Sequence, residues 1–257
     1  MTQETDNLSQ EKVLYVELTP AEFRQRLAAA PIAYLPLGTL EWHGEHLPLG
    51  ADGLQSQGFF IHLARRVGGI VLPMLFLGPD LHAEANGQTF YGMDIVGFAK
   101  GSPQQLAGSA YWVDENLFGA LLESILSRLA RAGFKIVVAH GHGPSTNFFE
   151  KHSAEWSQKF DLELLSAWDH IHGDAATGLQ TDHAAANETS LTMALRPELV
   201  KMENLPTDLK EWPQAIMGED PRLHASSEAG REIIRKNLAW LEGVLRQALL
   251  KRESEKE

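Results

Sequence analysis

The sequence predicts an α/β protein, a three-layer α/β/α sandwich built around a mostly parallel central sheet. Short apolar runs alternate with amphipathic stretches along the 257 residues, which is the order of βαβ units. Most of the runs are apolar without alternation, as expected for strands that helices cover on both faces. No internal repeat or low-complexity linker is found. We therefore expect a single domain over residues 1–257, with residues 1–12 and 252–257 flexible at its ends.

Four strands are predicted where apolar residues run together, at residues 32–36, 70–76, 134–139 and 162–167. Amphipathic spacing predicts helices at residues 20–30, 55–67, 113–132, 145–159 and 226–251. Gly133 is placed to end the third of these helices. A further helix carries Thr189 and ends before Pro197, because proline disfavours helical backbone in the residue before it.

The composition excludes several classes of protein. With 22 Lys and Arg against 34 Asp and Glu, the net charge is −12 and no basic cluster suited to nucleic acid is present. Because the chain has no cysteine, any metal must be held by His, Asp and Glu. No apolar run reaches the length of about 18 residues that spans a membrane, and the acidic start lacks the apolar core of a signal peptide. We expect a cytoplasmic protein with a small-molecule substrate and with neither nucleic acid nor a membrane as partner.

The histidines give the first chemical signal because they are clustered. Seven of the eleven fall in three segments, each at or just beyond a predicted strand: His43 with His46, His140 with His142, and His170 and His172 with His183. The carboxyl ends of parallel strands form the ligand crevice of such sheets, so these separate segments can converge there. Since a single histidine in a loop is more often structural, it is the convergence that predicts a site.

The first segment, residues 40–52, offers several metal ligands. Glu41 and His43 are two residues apart, so in extended backbone both point to the same side of the strand end. Asp52 follows a Pro and Gly turn at the expected start of a helix, where it is either a helix cap or a carboxylate that bridges two cations. Glu45 and His46 are further candidates, with a hydrogen-bonded loop as the alternative.

The second segment, residues 137–144, is a buried strand that runs into a glycine-rich turn. Such a turn lets backbone approach a ligand closely, as in phosphate-binding loops. Neither of the glycine-rich phosphate-binding patterns follows any predicted strand, so the turn does not indicate a nucleotide site. Of its two histidines, His142 is the better ligand candidate.

Together these segments resemble the creatininase family of metal-dependent hydrolases. The matching stretches run in family order along nearly the whole chain: LPLGTLEWHGEHLPLGAD at 35–52, GHG at 141–143 with Asn147, WD at 168–169, residues 182–200 with ETS at 188–190, and residues 218–230. On these stretches the chain is identified as a member of the family, with a creatininase-like fold.

The resemblance implies two divalent metal ions per chain. It makes Glu41 and His142 ligands of one ion, His43 a ligand of the other, and Asp52 the bridge between them. Zn, Mn and Fe all suit imidazole and carboxylate ligands, so the sequence does not choose among them.

The chain also departs from the family pattern at this centre. Creatininase has a further glutamate two residues after the histidine that matches His142, and this chain has Pro144 there. We therefore nominate Glu188, the glutamate of the ETS stretch, as the remaining ligand. The alternative is a carboxylate that supports a ligand or a helix start without touching the ion. His183 matches the family's catalytic histidine, which implies that it donates a proton to the leaving group.

Three residues are candidate substrate contacts: Trp168, Ser145 and Asp182. Trp168 is similar to a family tryptophan near the active-site entrance, although a tryptophan at a strand end is most often packing. The loop from His140 to Asn147 is two residues longer than the family's, so the pocket is expected to differ and creatinine is not the favoured substrate.

The favoured function is a binuclear metal-dependent hydrolase that uses metal-activated hydroxide on a small cyclic amide or related C–N bond. One alternative keeps the metals but opens a polyhydroxylated cyclic ketone of the keto-inositol type, which the hydroxyls of Ser145 and Thr146 would suit. Another is a noncatalytic metal-binding protein. The family resemblance also implies a homo-oligomer, commonly a hexamer.

Overall fold

The protein is described by a computed structural model over residues 11–96, 103–168 and 177–254. Its strands are β1 (Ile32–Leu37), β2 (Ile70–Val71), β3 (His82–Ala85), β4 (Gln88–Tyr91), β5 (Ile136–Gly141) and β6 (Glu163–Ser166). Its α-helices are α1 (Pro20–Ala29), α2 (Ala51–Val67), α3 (Met93–Val96), α4 (Glu115–Ala132), α5 (Gly143–Phe160), α6 (Ala186–Leu195), α7 (Pro221–His224) and α8 (Ser227–Ser254). Short 3₁₀ turns lie at Tyr15–Glu17, Pro197–Leu199 and Met202–Asn204.

A four-stranded parallel sheet lies at the centre of the fold, in the order β2-β1-β5-β6. β1 pairs with β5 along its whole length, from Ile32 opposite Ile136 to Leu37 opposite Gly141. Every residue of both strands is buried, as the unbroken apolar runs predicted. The predicted α/β fold with a mostly parallel sheet is confirmed.

Helices cover both faces of the sheet. The side chains of Ile32 and Tyr34 belong to one apolar cluster, which also contains residues of α2, α6 and α8. Ala33, Leu35 and Leu37 belong to the other, which contains residues of α4 and α5. Alternate side chains of β1 therefore point to opposite faces of the sheet and contribute to two apolar clusters, one under each outer layer of helices. Among the described helices, none is both long and apolar enough to cross a membrane.

The predicted strand at 70–76 is wrong in its extent, because β2 ends at Val71. Leu72 still donates its N–H to the Tyr34 carbonyl, but Pro73 has no N–H to continue the ladder. Pairing with the end of β1 resumes only as the isolated bridge between Leu37 and Leu75. Proline within an apolar run thus shortened the strand to its first two residues.

The antiparallel hairpin of β3 and β4 was not predicted from the sequence. Its turn is Asn86–Gly87, with φ positive at both residues. Asn-Gly between two short strands is a strong hairpin signal, but these strands are largely exposed and carry little apolar alternation. At the chain ends, α8 continues to Ser254, three residues beyond the predicted end, and residues 1–10 and 255–257 lie outside the described part of the chain.

Helix α8 packs closely against α6. A Cβ at Gly230 of α8 would overlap the Ser190 carbonyl oxygen of α6, so glycine permits the two backbones to touch. The Ser226 N–H, just before α8, donates to Ser190 Oγ at 3.0 Å. The Ser227 hydroxyl donates to the Met193 carbonyl at 3.1 Å. The start of α8 therefore fixes the position of α6.

Gly141, the last residue of β5, is expected to be indispensable for stability. Its φ is +142°, and a Cβ there would overlap the Leu37 carbonyl oxygen of β1. Gly141→Ala should lower the free energy of unfolding by about 2–5 kcal/mol, because left-handed strain and overpacking add. Gly243→Ala, on an exposed part of α8 with open space around its Cβ, is the control and should raise stability by about 1 kcal/mol. Urea unfolding followed by circular dichroism measures both, and equal midpoints would contradict this reasoning.

Candidate metal centre

The carboxyl ends of β1 and β5 bring the predicted ligands together. The segment after β1 carries Glu41 and His43, and His142 follows β5 directly. Asp52 lies in the first turn of α2, and Glu188 lies in the first turn of α6. All five side chains are buried. The strand ends and two helix starts thus form one cluster of carboxylates and imidazoles.

Asp52 lies at the centre of this cluster, between two histidines. Its Oδ1 is 3.1 Å from His43 Nε2, and its Oδ2 is 3.2 Å from His142 Nδ1. The N-cap of α2 is Gly50, and no side-chain capping hydrogen bond is made there. Of the two roles open to Asp52 from the sequence, the structure therefore disfavours the helix cap.

Two groups of ligand atoms flank Asp52. On one side His43 Nε2 is 3.8 Å from Glu188 Oε2, and these two residues with Asp52 form a group that could hold a metal ion. On the other side Glu41 Oε1 is 3.3 Å from His142 Nδ1. Ligands bound to zinc at 2.0–2.2 Å in tetrahedral geometry are about 3.4 Å apart. The observed separations fit divalent cations, and the donor set of imidazole nitrogens and carboxylate oxygens fits Zn or Mn.

The pKa shifts reflect strong electrostatic interactions among the buried carboxylates and imidazoles of the cluster. Burial lowers the pKa of His43, but Asp52 and the neighbouring Glu188 and Glu41 more than reverse this and raise it to about 10. Burial, reinforced by the charge of Asp52, raises the pKa of Glu188 well above its ordinary value. Both shifts make the metal-free cluster retain protons. A divalent cation would supply the positive charge instead.

Hydrogen bonds to backbone carbonyls orient both candidate histidine ligands. His43 Nδ1 is 3.1 Å from the Glu41 carbonyl, and His142 Nε2 is 3.2 Å from the Pro79 carbonyl. Each ring therefore donates from one nitrogen and turns the other toward Asp52. Such partners fix the tautomer of a metal-binding histidine.

Sequence reasoning missed two residues at the centre, Gln180 and Asp80. The Gln180 amide donates to the Asp52 carboxylate at 3.3 Å and to its carbonyl at 3.2 Å, so it orients the Asp52 side chain. Gln180 has φ +50°, a conformation that non-glycine residues adopt at a cost and often at functional sites. Asp80 forms a possible metal-holding group with Glu41 and His142. No local pattern marked either residue, because both reach the centre from loops distant in sequence.

His183 lies beside the cluster, and one of its ring nitrogens is hydrogen-bonded to a backbone carbonyl. Its Nε2 is 2.7 Å from the Trp42 carbonyl, to which it donates, and its Nδ1 is 3.9 Å from Glu41 Oε1. The ring stacks on His43 with centroids 4.4 Å apart. Burial and the neighbouring His43 lower the pKa of His183, so the neutral ring is favoured. Its Nδ1 is then free to exchange a proton.

A cavity of about 280 Å³ opens onto the centre, and Trp168 and Asp182 line it. Asp182 also accepts the backbone N–H groups of Asn187 and Glu188 at 2.7 and 3.1 Å, so it caps the start of α6. Ser145 is fully buried with its Oγ against Gly78, and it is not among the residues that line the cavity. The substrate roles of these three residues remain predictions.

The other candidate residues belong to no possible metal-holding group among the described residues, or lie outside the described part of the chain. Glu45 is exposed. His46 is buried with Nε2 2.8 Å from Thr189 Oγ1, as a structural histidine would be. His140 is buried and forms a T-shaped contact with Trp168, with ring centroids 5.7 Å apart. His170 and His172 lie outside the described residues.

The protein is an α/β sandwich in which His, Asp and Glu side chains that could hold metal ions lie together at the carboxyl ends of the parallel strands. The chain belongs to the creatininase family: the family's sequence model, described as creatinine amidohydrolase, matches residues 16–241. A creatinine amidohydrolase of Pseudomonas putida is 27% identical over 208 residues, which are 74% of each chain. The protein is accordingly a hydrolase of this family, with residue groups that can hold metal ions.

Solved structures confirm the fold. A structure described as "Creatininase Mn" superposes with a TM-score of 0.70 at 23% identity, covering 93% of this chain and 99% of the other. A mutant creatininase of Zn-Zn type superposes with a TM-score of 0.69 at 23% identity, with the same coverage. The creatininase resemblance inferred from the sequence is confirmed.

Proposed function

We propose that the protein is a binuclear metal-dependent hydrolase that cleaves the C–N bond of a small cyclic amide. The observation that carries this proposal is the orientation of the Asp52 carboxylate: its Oδ1 faces His43 and its Oδ2 faces His142. A carboxylate that turns its two oxygens to two separate ligand groups is suited to bridge two cations. The Zn-Zn and Mn descriptions of the related structures support the same arrangement.

The ligands divide into two sets around this bridge. Glu41 and His142 would hold one ion, while His43 and Glu188 would hold the other. Bound divalent cations would supply Lewis acidity, which polarises a carbonyl and makes water more acidic. Gln180 would keep the Asp52 carboxylate in place through its amide.

His183 would move the proton that amide hydrolysis requires. Because Nε2 donates to the Trp42 carbonyl, only Nδ1 is free to accept a proton from the attacking water. The protonated ring can then release that proton to the departing nitrogen as the C–N bond breaks. Water is thereby divided, with its hydroxyl group on the carbonyl carbon and the transferred proton on the amine.

The walls of the cavity disfavour an anionic substrate. Leu81, Met93, Val96 and Met217 line it, and the lining residues that the structure describes include no Lys or Arg. The volume of about 280 Å³ is suited to a small ring.

The polyol alternative loses the observation that suggested it. The Thr146 hydroxyl donates to the Gly141 carbonyl, and the Ser145 hydroxyl lies against Gly78. Neither residue is among those that line the cavity, so the two hydroxyls give the polyol alternative no support there. The closed homo-oligomer that the family resemblance implies remains a proposal.

Metal analysis combined with a substrate screen tests this function. Protein purified without chelator and supplied with Zn or Mn should carry close to two divalent ions per chain by elemental analysis. In a panel of lactams, creatinine, formamides and keto-inositols, it should hydrolyse at least one substrate at an amide C–N bond and should lose that activity after chelation. A content that never exceeds one ion per chain would contradict the binuclear centre. Turnover confined to keto-inositols would replace the proposed substrate class.

A further inference from the structure

Asp80 is a buried carboxylate that the proposed two-metal arrangement does not use. It lies in the loop between β2 and β3, with a side chain only 3% exposed. Its Oδ1 accepts the N–H of Leu81 at 2.7 Å. Its Oδ2 is buried and has no hydrogen-bond donor among the described residues. An unpartnered carboxylate oxygen in this position is costly unless a cation or a proton accompanies it.

The Asp80 carboxylate faces the ligands of one proposed ion. Its Oδ1 is 4.0 Å from His142 Nε2, and Asp80, Glu41 and His142 offer ligand atoms that all lie within 4.8 Å of one another. At Gly92 an added Cβ would overlap Asp80 Oδ2 and lie 2.8 Å from Glu41 Oε2. The two carboxylate oxygens therefore converge on one small space.

The hairpin holds these groups together. The Gly92 N–H, just after β4, donates to the Leu81 carbonyl at 2.8 Å and so closes the hairpin at the residue next to Asp80. Gly92 has φ +48° and leaves the space that the two oxygens occupy. The β3–β4 hairpin, which was not predicted from the sequence, therefore places the additional carboxylate at the centre.

Charge favours a cation at this convergence. Two buried carboxylates in contact repel each other, and the repulsion disappears when a divalent ion lies between them. With Asp80 included, the centre has the carboxylates of Glu41, Asp52, Asp80 and Glu188, whose combined charge of −4 balances two divalent cations.

We propose that Asp80 is a further ligand, through Oδ2, of the divalent ion that Glu41 and His142 hold. The inference rests on the proposed metal centre and extends it, since it adds a loop carboxylate to the ligand set. It assigns the hairpin of β3 and β4 a specific task, which is to hold Asp80 against Glu41.

Metal binding by the whole chain, stripped with chelator and refilled with Zn²⁺ alone, tests the assignment. Asp80→Asn keeps the size of the side chain and an oxygen that can accept the Leu81 N–H, but it removes the charge. One of the two Zn²⁺ affinities should fall at least about 10-fold in competition with a chromophoric chelator, and the other should stay unchanged. With Co²⁺ in place of Zn²⁺, the visible absorption of one ion should change, because its coordination changes.

Asp94→Asn is the matched control. Asp94 is also buried and also accepts a backbone N–H, that of Leu106, but it belongs to none of the possible metal-holding groups. It should retain both Zn²⁺ affinities and the Co²⁺ spectrum of the wild type. If Asp80→Asn does not fold by circular dichroism, Gly92→Ala replaces it, since the added methyl displaces the same oxygens and should weaken the same ion.

The outcomes separate this inference from the proposed function. Wild-type protein that binds fewer than two ions contradicts the binuclear centre, whatever Asp80 does. A folded Asp80→Asn variant with wild-type Zn²⁺ affinities and Co²⁺ spectrum overturns the ligand role. A change in KM with both of those measurements unaltered would also overturn it, because Asp80 would then contact the substrate instead of the ion.

Discussion

Asp52→Ala is expected to remove both metal ions and to abolish hydrolysis. Its two carboxylate oxygens lie 3.1 and 3.2 Å from the histidines of the two ligand groups, so each proposed ion loses a ligand in this one substitution. The ligands that remain also repel each other without the bridge. Elemental analysis should give fewer than about 0.2 ions per chain, and turnover should fall by at least about 10⁴-fold, since metal activation is lost altogether.

Asp114→Ala is the control for this substitution. Asp114 caps α4 by accepting the Leu117 N–H at 3.0 Å and belongs to no metal-holding group. Its loss should cost about 1 kcal/mol of stability and leave the metal content unchanged. Retention of one firmly bound ion by Asp52→Ala would show that Asp52 serves a single ion.

His183→Ala should have the opposite combination of effects. If His183 transfers a proton and does not bind metal, both ions stay while kcat falls by about 10²–10⁴-fold, the range for loss of a general acid or base. The free Nδ1 and the hydrogen bond from Nε2 to the Trp42 carbonyl are the basis for this expectation. Metal content and kcat are measured on the same preparation.

His142→Ala provides the contrast, because its Nδ1 lies between the carboxylates of Glu41 and Asp52. This variant should lose metal together with activity. His152→Ala, which removes a histidine stacked on Trp156 far along α5, should retain both. Should His183→Ala turn over substrate at the wild-type rate, its proton-transfer role is wrong. Should it lose an ion, His183 belongs to the ligand set with Glu41 and His43, a group that the geometry also permits.

Much of the candidate centre could be predicted because its candidate ligands lie next to strongly patterned elements. Glu41 and His43 follow an entirely buried strand, and His142 follows its neighbour in the sheet. The parallel pairing of these strands is what the unbroken apolar runs implied, and it places their ends side by side. Local pattern and sheet geometry thus agree on where the side chains meet.

Asp80 and Gln180 could not be found in the same way. Each lies in a loop without apolar periodicity, and each reaches the centre through contacts to residues far away in sequence. Pro73 shows the related limit for secondary structure, since it ended a strand that hydrophobicity alone would have continued. Contacts that depend on how loops close around a finished sheet leave no trace in the neighbouring sequence.

The contact between α6 and α8 has a consequence for how the nascent chain matures. During translation Glu188 leaves the ribosome well before Gly230. The Gly230 backbone packs against Ser190, two residues after Glu188 in the same helix. At that moment all the proposed ligands have been synthesised, yet the helix that carries the last of them still lacks its contacts with α8. Firm metal retention is therefore expected to be a late, post-translational event, and premature termination before α8 should yield chains that capture ions weakly and exchange them rapidly.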